Sequence, residues 1–225
     1  MEKVKRHKSA VATSLAFLLL ALIFIAIYLQ TQPPQNLYPQ EIRDYQGQNL
    51  SSISDVKENA IAGTQYINKS TYRLTVTGLV NKTLEYTYDD VVISHQKYQK
   101  VITLYCVEGW SAKILWEGIL LRDLIQEAGN LSTAKIVIFT ASDGYTTSLP
   151  LDYFFTNDIL LAYKMNGLVI PPERGFPFQL VAESKYGYKW IKWITKIELS
   201  DNTNYQGYWE SRGSPNNASV PNTSP

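Results

Sequence analysis

Val11 to Leu29 is a mainly apolar run of 19 residues without a charge, and at 1.5 Å per residue it just crosses a ~30 Å hydrocarbon layer. It predicts a membrane-spanning helix. The competing reading, a cleaved signal peptide, has a shorter apolar stretch of ~7–15 residues ending in a small-x-small site; here Gln30-Thr31-Gln32-Pro33-Pro34 follows instead. Further along, the pattern shortens and alternates. Tyr72 to Leu79, Tyr98 to Tyr105, Ala134 to Ala141 and Ile191 to Leu199 carry the period of two and the β-branched and aromatic content of strands. Ile119 to Ala128 switches to a helical period, with Leu120, Leu121, Leu124, Ile125 and Ala128 on one face and Arg122, Asp123, Gln126 and Glu127 opposite, and stops at Gly129. A shorter helix is expected at Leu151 to Thr156. Asp143-Gly144 and Asn166-Gly167 sit between apolar runs as hairpin connections do. The fold class that follows is α+β, mainly β, with an N-terminal transmembrane helix.

Between and beyond these elements the chain is polar. Residues 30–58 are rich in Gln and Ser and read as a tether, and residues 206–225 are biased toward Asn, Ser, Pro and Gly and read as a flexible tail. The expected division is a basic tail at 1–10, an anchor at 11–29, the tether, a folded domain at 59–205, and the flexible end.

Charge refines the topology. Lys3, Lys5, Arg6 and Lys8 against Glu2 place +3 in the first eight residues of a chain whose formal net charge is +1. Basic residues hold their end in the cytoplasm, so the domain is expected outside the cell membrane on a single-pass anchor. The six N-x-S/T sequons, beginning at Asn49, Asn68, Asn81, Asn130, Asn217 and Asn222, are compatible with export. With the remainder at about −2, no nucleic-acid-binding surface is indicated. One cysteine and two histidines, His7 and His95, exclude an intrachain disulfide and a Cys/His zinc site.

That cysteine, Cys106, ends a predicted strand in Val101-Ile102-Thr103-Leu104-Tyr105-Cys106-Val107-Glu108-Gly109-Trp110-Ser111, where Glu108-Gly109 makes a turn and Trp110 and Trp116 offer aromatic walls. Three readings stand open on local chemistry. Cys106 is a small buried hydrophobe, a nucleophile whose sole base would be His95, or a thiolate ligand to a soft metal whose other ligands come from a cofactor.

Cys-Val-Glu-Gly-Trp-Ser at 106–111 is followed by Trp116-x-Gly118, then Phe139-x-Ala141-x-Asp143-Gly144-Tyr145, then Met165-Asn166-Gly167 and Pro171-Pro172-x-x-Gly175-x-Pro177, and last Lys185-Tyr186-Gly187-Tyr188-Lys189-Trp190-Ile191-Lys192-Trp193-Ile194. In this order the motifs resemble the sulfite-oxidase-type molybdopterin domain over about Tyr72 to Leu199, and most closely its small prokaryotic catalytic subunits, among them methionine sulfoxide reductase catalytic subunits. The resemblance implies a molybdenum-molybdopterin cofactor, with Cys106 as the protein's ligand to the metal beside a pterin dithiolene. It implies a phosphate loop at Gly187 to Lys192 that uses backbone amides of Trp190, Ile191 and the Lys192 region, with charge from Lys189 and Lys192 facing partly to solvent. Thr140 falls near the family's cofactor-contacting hydroxyl, one position before Ala141. Arg174 and Gln179 stand where the family's reductases carry an asparagine and an arginine against the pterin, so the cationic contact is expected at Arg174. The reductases' Asn and Tyr-Glu contacts are not recognisable in residues 59–71. Asp143 and Tyr145 are either a plain hairpin turn or groups at the pocket mouth with a catalytic role.

An oxidoreductase moving an oxygen atom to or from a small substrate such as sulfite or a sulfoxide follows from the resemblance. No C-x-x-C-H haem site is present, so a separate haem or quinone-linked electron-transfer protein is the expected partner. The sequence ends soon after Leu199, as a minimal catalytic unit without the dimerisation domain of larger sulfite oxidases would. The alternative is a non-catalytic binding or scaffold domain that keeps the fold without the metal. Lys5-Arg6-His7-Lys8 in place of twin arginines is its motive, since export of the folded, loaded protein normally uses that signal.

Overall fold

The computed structural model describes residues 18–23, 38 and 40–221. Residues 18–23 are helical, and no helix among the described residues is long and apolar enough to cross a membrane. The span expected at Val11 to Leu29 lies largely outside the described residues, as do the basic tail and the segment 24–37. Contacts divide the chain after Leu37, and the unit from Tyr38 onward is the folded domain.

Two five-stranded sheets build that domain. One has β3 (Leu74–Gly78), β4 (Leu84–Tyr86), β7 (Ile136–Ala141), β8 (Thr146–Pro150) and β12 (Ile194–Ser200), in the order β4-β3-β12-β7-β8. Its only parallel pair among the described residues is β12 with β3, which register Ile197 against Val76. The other runs β10-β9-β6-β5, with β5 at Tyr98–Tyr105, β6 at Ser111–Leu120, β9 at Leu160–Met165, β10 at Leu168–Val169, and β11 (Gln179–Val181) pairing β9. A small hairpin, β1 (Asp44–Tyr45) with β2 (Gln48–Asn49), precedes them.

Three short helices close the layers. Thr87 starts α1 (Tyr88–Ser94) with a capping box, its hydroxyl accepting from Asp90 N at 3.1 Å while the Asp90 carboxylate accepts from Thr87 N at 2.8 Å. The amphipathic helix is α2 (Leu121–Ala128), two residues shorter than its pattern predicts: Ile119 and Leu120 belong to β6, where they pair Leu161 and Leu160. Buried on a sheet face, an apolar pair satisfies a strand as well as a helix, and cross-strand partners decide. It ends at Gly129, whose φ of 69° puts it in the left-handed region. The third, α3 (Leu151–Thr156), falls where predicted. Both Gly dipeptides make hairpins, β7 to β8 and β9 to β10.

The tether and the flexible tail need correction. Within residues 40–58, Leu50, Ile53 and Val56 are buried, and the Glu41 carboxylate, itself buried, accepts from Ser52 Oγ, Ile53 N and Asn166 Nδ2. Asn166 Oδ1 accepts from Leu115 N at 3.0 Å, so one buried amide ties this segment to β6. At the other end, residues 206–221 are strapped over the loop that follows β11. Tyr186 N donates to Ala218 O, Val220 N to Ser184 O, and Tyr188 OH to Pro215 O, at 2.7–2.9 Å. Backbone and side-chain polar groups that would otherwise face water are here paired with partners distant in sequence.

Candidate active site

Strand β5 delivers Cys106 to its C-terminal end. The chain turns at once, with Gly109 N donating to Cys106 O and Cys106 N to Trp110 O, and returns as β6. A parallel bridge between Tyr105 and Tyr186 brings the loop 184–193 alongside. Between them opens a cavity of about 300 Å³, the size of a small cofactor site. Cys106, Asp143, Tyr145, Arg174, Gly187, Trp190, Ile191 and Lys192 all line it. Val56, Lys57 and Asn59 of the N-terminal segment and Ser214 of the strap complete the wall.

The Cys106 thiol is half-buried and free. Burial pushes its pKa up, with Glu108 opposing through a backbone hydrogen bond and adding through its charge. The Glu108 carboxylate accepts from Trp110 Nε1 and Asn59 Nδ2, each at 3.3 Å. Among the described residues no group of three His, Cys, Asp or Glu side chains could hold a metal ion. Cys106 is the one thiol on the cavity wall.

The opposite wall is built for an anion. Trp190 N donates to Gly187 O and Lys189 N to Tyr186 O, closing a 3₁₀ turn, whereas the amides of Ile191 and Lys192 donate to no acceptor among the described residues. Adjacent free amides make an anion-binding concavity. Arg174 stands beside them, its Nε donating to Ile53 O at 3.2 Å. Lys192 Nζ reaches Glu173 O at 3.3 Å and lies 4.0 Å over the Trp193 ring. Gln179 is buried behind the cavity wall, and its Oε1 has essentially no exposed surface and no hydrogen-bond partner among the described residues.

Burial pushes the Lys192 ammonium down to about 8. The charge is then present below that pH and lost as pH rises through it, while a bound dianion pulls the proton back on. Inorganic phosphate binding to the cofactor-free protein is expected to weaken about tenfold between pH 8 and 10, the size of one charge-assisted hydrogen bond. Titration calorimetry across that range checks it, and Lys192→Gln should flatten the profile.

Four expectations fall differently. Lys189 is fully buried and points away from the cavity: its ammonium bonds the Glu210 carboxylate, Ser148 O at 2.9 Å and Asn216 Oδ1 at 3.0 Å. It offers neither a solvent-facing charge nor a phosphate ligand. The Trp190 amide, committed to Gly187 O, cannot serve a phosphate either, although the Trp190 ring does line the cavity. Thr140 sits within β7 between partners on β8 and β12 and is not part of the cavity wall; its carbonyl accepts from Thr195 Oγ1. Trp116 is fully buried, with Nε1 donating to Ile102 O, and backs Trp190 at 5.6 Å instead of forming a wall. The two readings of Asp143 and Tyr145 both hold in part. Asp143 Oδ1 accepts from Tyr145 N as a turn residue does, and both side chains line the cavity. Tyr145 OH donates to Tyr188 O at 2.6 Å, so its proton is already placed, and burial pushes its pKa up.

A thiol and a pair of free amides with two cations are the groups a phosphorylated pterin bearing a metal dithiolene would use. The model of the oxidoreductase molybdopterin binding domain matches residues 61–209. The chain belongs to this family. It is thus a molybdopterin-dependent oxidoreductase, and the donors above fit that cofactor. Among relatives of this family member, the uncharacterized oxidoreductase YuiH of Bacillus subtilis is 36% identical over 66% of this chain and 74% of its own length. Protein-methionine-sulfoxide reductase catalytic subunits of Campylobacter jejuni and Gluconobacter oxydans are each 30% identical, over 72% and 78% of this chain. The matches span only 60% and 63% of those two relatives. The crystal structure of the sulfane dehydrogenase SoxCD from Paracoccus pantotrophus shares the fold, with a TM-score of 0.63 at 22% identity over 70% of this chain and 44% of that one. The mainly β, sulfite-oxidase-like architecture is therefore established, and with it the resemblance first drawn from the motifs. Lys57, Gln179 and Trp209 line the cavity beside the expected residues. Gln179 alone had a signal, its departure from the family's arginine.

Proposed function

We propose that this chain is the catalytic unit of an enzyme that reduces a small neutral S-oxide. The observation that carries it is the charge balance of the cavity wall. Lys57, Arg174 and Lys192 are matched by Glu108, Asp143 and Glu173, and Trp110, Trp190, Trp193, Trp209 and Tyr145 are among the other residues that line the wall. A sulfite site wants an excess of cations. Once a phosphate draws on Arg174 and Lys192, what is left for the substrate is aromatic and not cationic. The names of the Campylobacter and Gluconobacter relatives support the same direction of reaction.

On this reading Cys106 is the protein's sulfur ligand to molybdenum, soft and anionic as a high-valent metal prefers. The amides of Ile191 and Lys192 and the side chains of Arg174 and Lys192 hold the phosphate. When bound, the molybdenum cofactor supplies two-electron oxygen-atom transfer. The balance is S-oxide plus two electrons and two protons giving thioether and water. Electrons come singly from a separate haem or quinone-linked protein, and Asp143, whose second carboxylate oxygen is free of the turn, relays protons at the mouth. Tyr145 is a wall and an anchor for Tyr188. The expected membrane anchor and extracytoplasmic placement belong to this proposal.

Protein extracted from membranes of its native host is expected to contain about one molybdenum and one pterin per chain and to reduce methyl phenyl sulfoxide with reduced viologen as donor. Metal-free protein would favour the scaffold alternative. Efficient sulfite oxidation without S-oxide reduction would overturn the substrate assignment.

A further inference from the structure

Trp209 is the most exposed of the indoles on the cavity wall. Its residue is 39% exposed, whereas Trp190 and Trp193 are buried at 3% and 1%. An indole at a cavity mouth is left over from packing, and its location here is fixed from both flanks. On one side Gly207 lies against the β8 backbone so closely that a Cβ would come within 2.4 Å of Thr146 O, and Tyr208 N donates to that same oxygen at 2.9 Å. On the other side Glu210 is buried and takes bonds from Thr147 Oγ1 and Lys189 Nζ. Trp209 O accepts from Arg212 N and Ser214 N, which closes the turn.

The ring also has a packed neighbour. Trp209 meets Tyr208 edge-on, with centroids 5.3 Å apart and planes at 88°. Tyr208 is itself held by Tyr145 at 5.7 Å and by the Arg212 guanidinium 3.6 Å from its ring centroid. Tyr145 and Trp209, the two ends of this aromatic ladder, both line the cavity.

We propose that Trp209 is a specificity-determining residue, a preorganised indole wall that favours neutral S-oxides and disfavours oxyanions. The inference rests on the reaction proposed above. The face of an indole carries negative quadrupole density. It attracts the partly positive sulfur and the alkyl or aryl substituents of a sulfoxide and repels sulfite or nitrate; sulfur against an aromatic ring is favourable in its own right. Because the ladder holds the ring before any substrate arrives, the contact is made without ordering a side chain.

The test uses the loaded enzyme as Trp209→Ala and Trp209→Phe. Both substitutions fall at a partly exposed position, so folding is retained. With methyl phenyl sulfoxide, Trp209→Ala is expected to raise KM about tenfold with kcat within about twofold, the signature of lost uniform binding, and Trp209→Phe to recover most of it. Inhibition by sulfite should be unchanged or stronger in Trp209→Ala. A second readout needs no turnover: the dissociation constant of methyl phenyl sulfone, a neutral analogue of the same shape, should rise in parallel with KM. Wild-type protein that reduces no S-oxide yet loses sulfone affinity in Trp209→Ala would sink the proposed reaction and sustain this assignment. S-oxide reduction with KM and sulfone affinity unmoved in Trp209→Ala, or with sulfite weakened equally, would overturn it.

Discussion

Cys106→Ser is expected to abolish turnover and strip the protein of molybdenum while leaving it folded. The side chain is half-buried at the end of β5 and takes part in the turn only through its backbone, by Cys106 N to Trp110 O and Gly109 N to Cys106 O. Oxygen for sulfur there creates little cavity, so a change in stability under about 1 kcal/mol is anticipated. The donor, however, changes from a soft anionic thiolate to a hard alcohol that keeps its proton, and among the described residues no nearby group of three ligating side chains could hold the metal instead. Metal analysis, released-pterin fluorescence and the thermal midpoint on one preparation separate the two effects. An active variant, or one with full metal, removes Cys106 from the site. A large fall in midpoint would instead make it the small buried hydrophobe that lone cysteines often are.

What could be read in the sequence divides along the range of the interactions. The strand ending at Cys106, the two Gly hairpins, α3 and the C-terminal limit of α2 rest on local signals, and they fall where the pattern puts them. The order of motifs was enough to bring Cys106, Arg174, Gly187, Ile191 and Lys192 to one cavity. Lys189 shows why the rest was hidden. The resemblance implies a charge facing partly to solvent, yet its partner is Glu210, 21 residues on in a segment whose composition looks loose. The N-terminal segment is the same case, since Glu41 is bound to Asn166 from 125 residues away. Neither pairing leaves a trace in local periodicity. The same holds for Trp209, whose place on the cavity wall depends on Gly207 and Glu210 docking against β8.

The Lys189–Glu210 pair supplies the other large expected effect, and it separates two roles for one lysine. Burial pushes the Lys189 ammonium down and the Glu210 carboxylate holds it up. Lys189→Ala would leave Glu210 buried with only the Thr147 hydroxyl for a partner, its Oε2 already having none. Breaking such a pair from one side costs about 3–5 kcal/mol, and at about 2–4 °C per kcal/mol for a domain of this size the midpoint should fall by about 6–20 °C. Exchanging both partners for apolar residues of similar volume, as Lys189→Met with Glu210→Leu, should recover most of that loss, because no uncompensated charge remains in the interior. The strap would then still cover the loop 184–190. If Lys189 instead held the cofactor's phosphate, the single variant would lose cofactor with little change in midpoint, and the double variant would lose it as well. Thermal unfolding of the cofactor-free protein, compared across the single and double variants, distinguishes a lysine that fastens the strap from one that faces the anion.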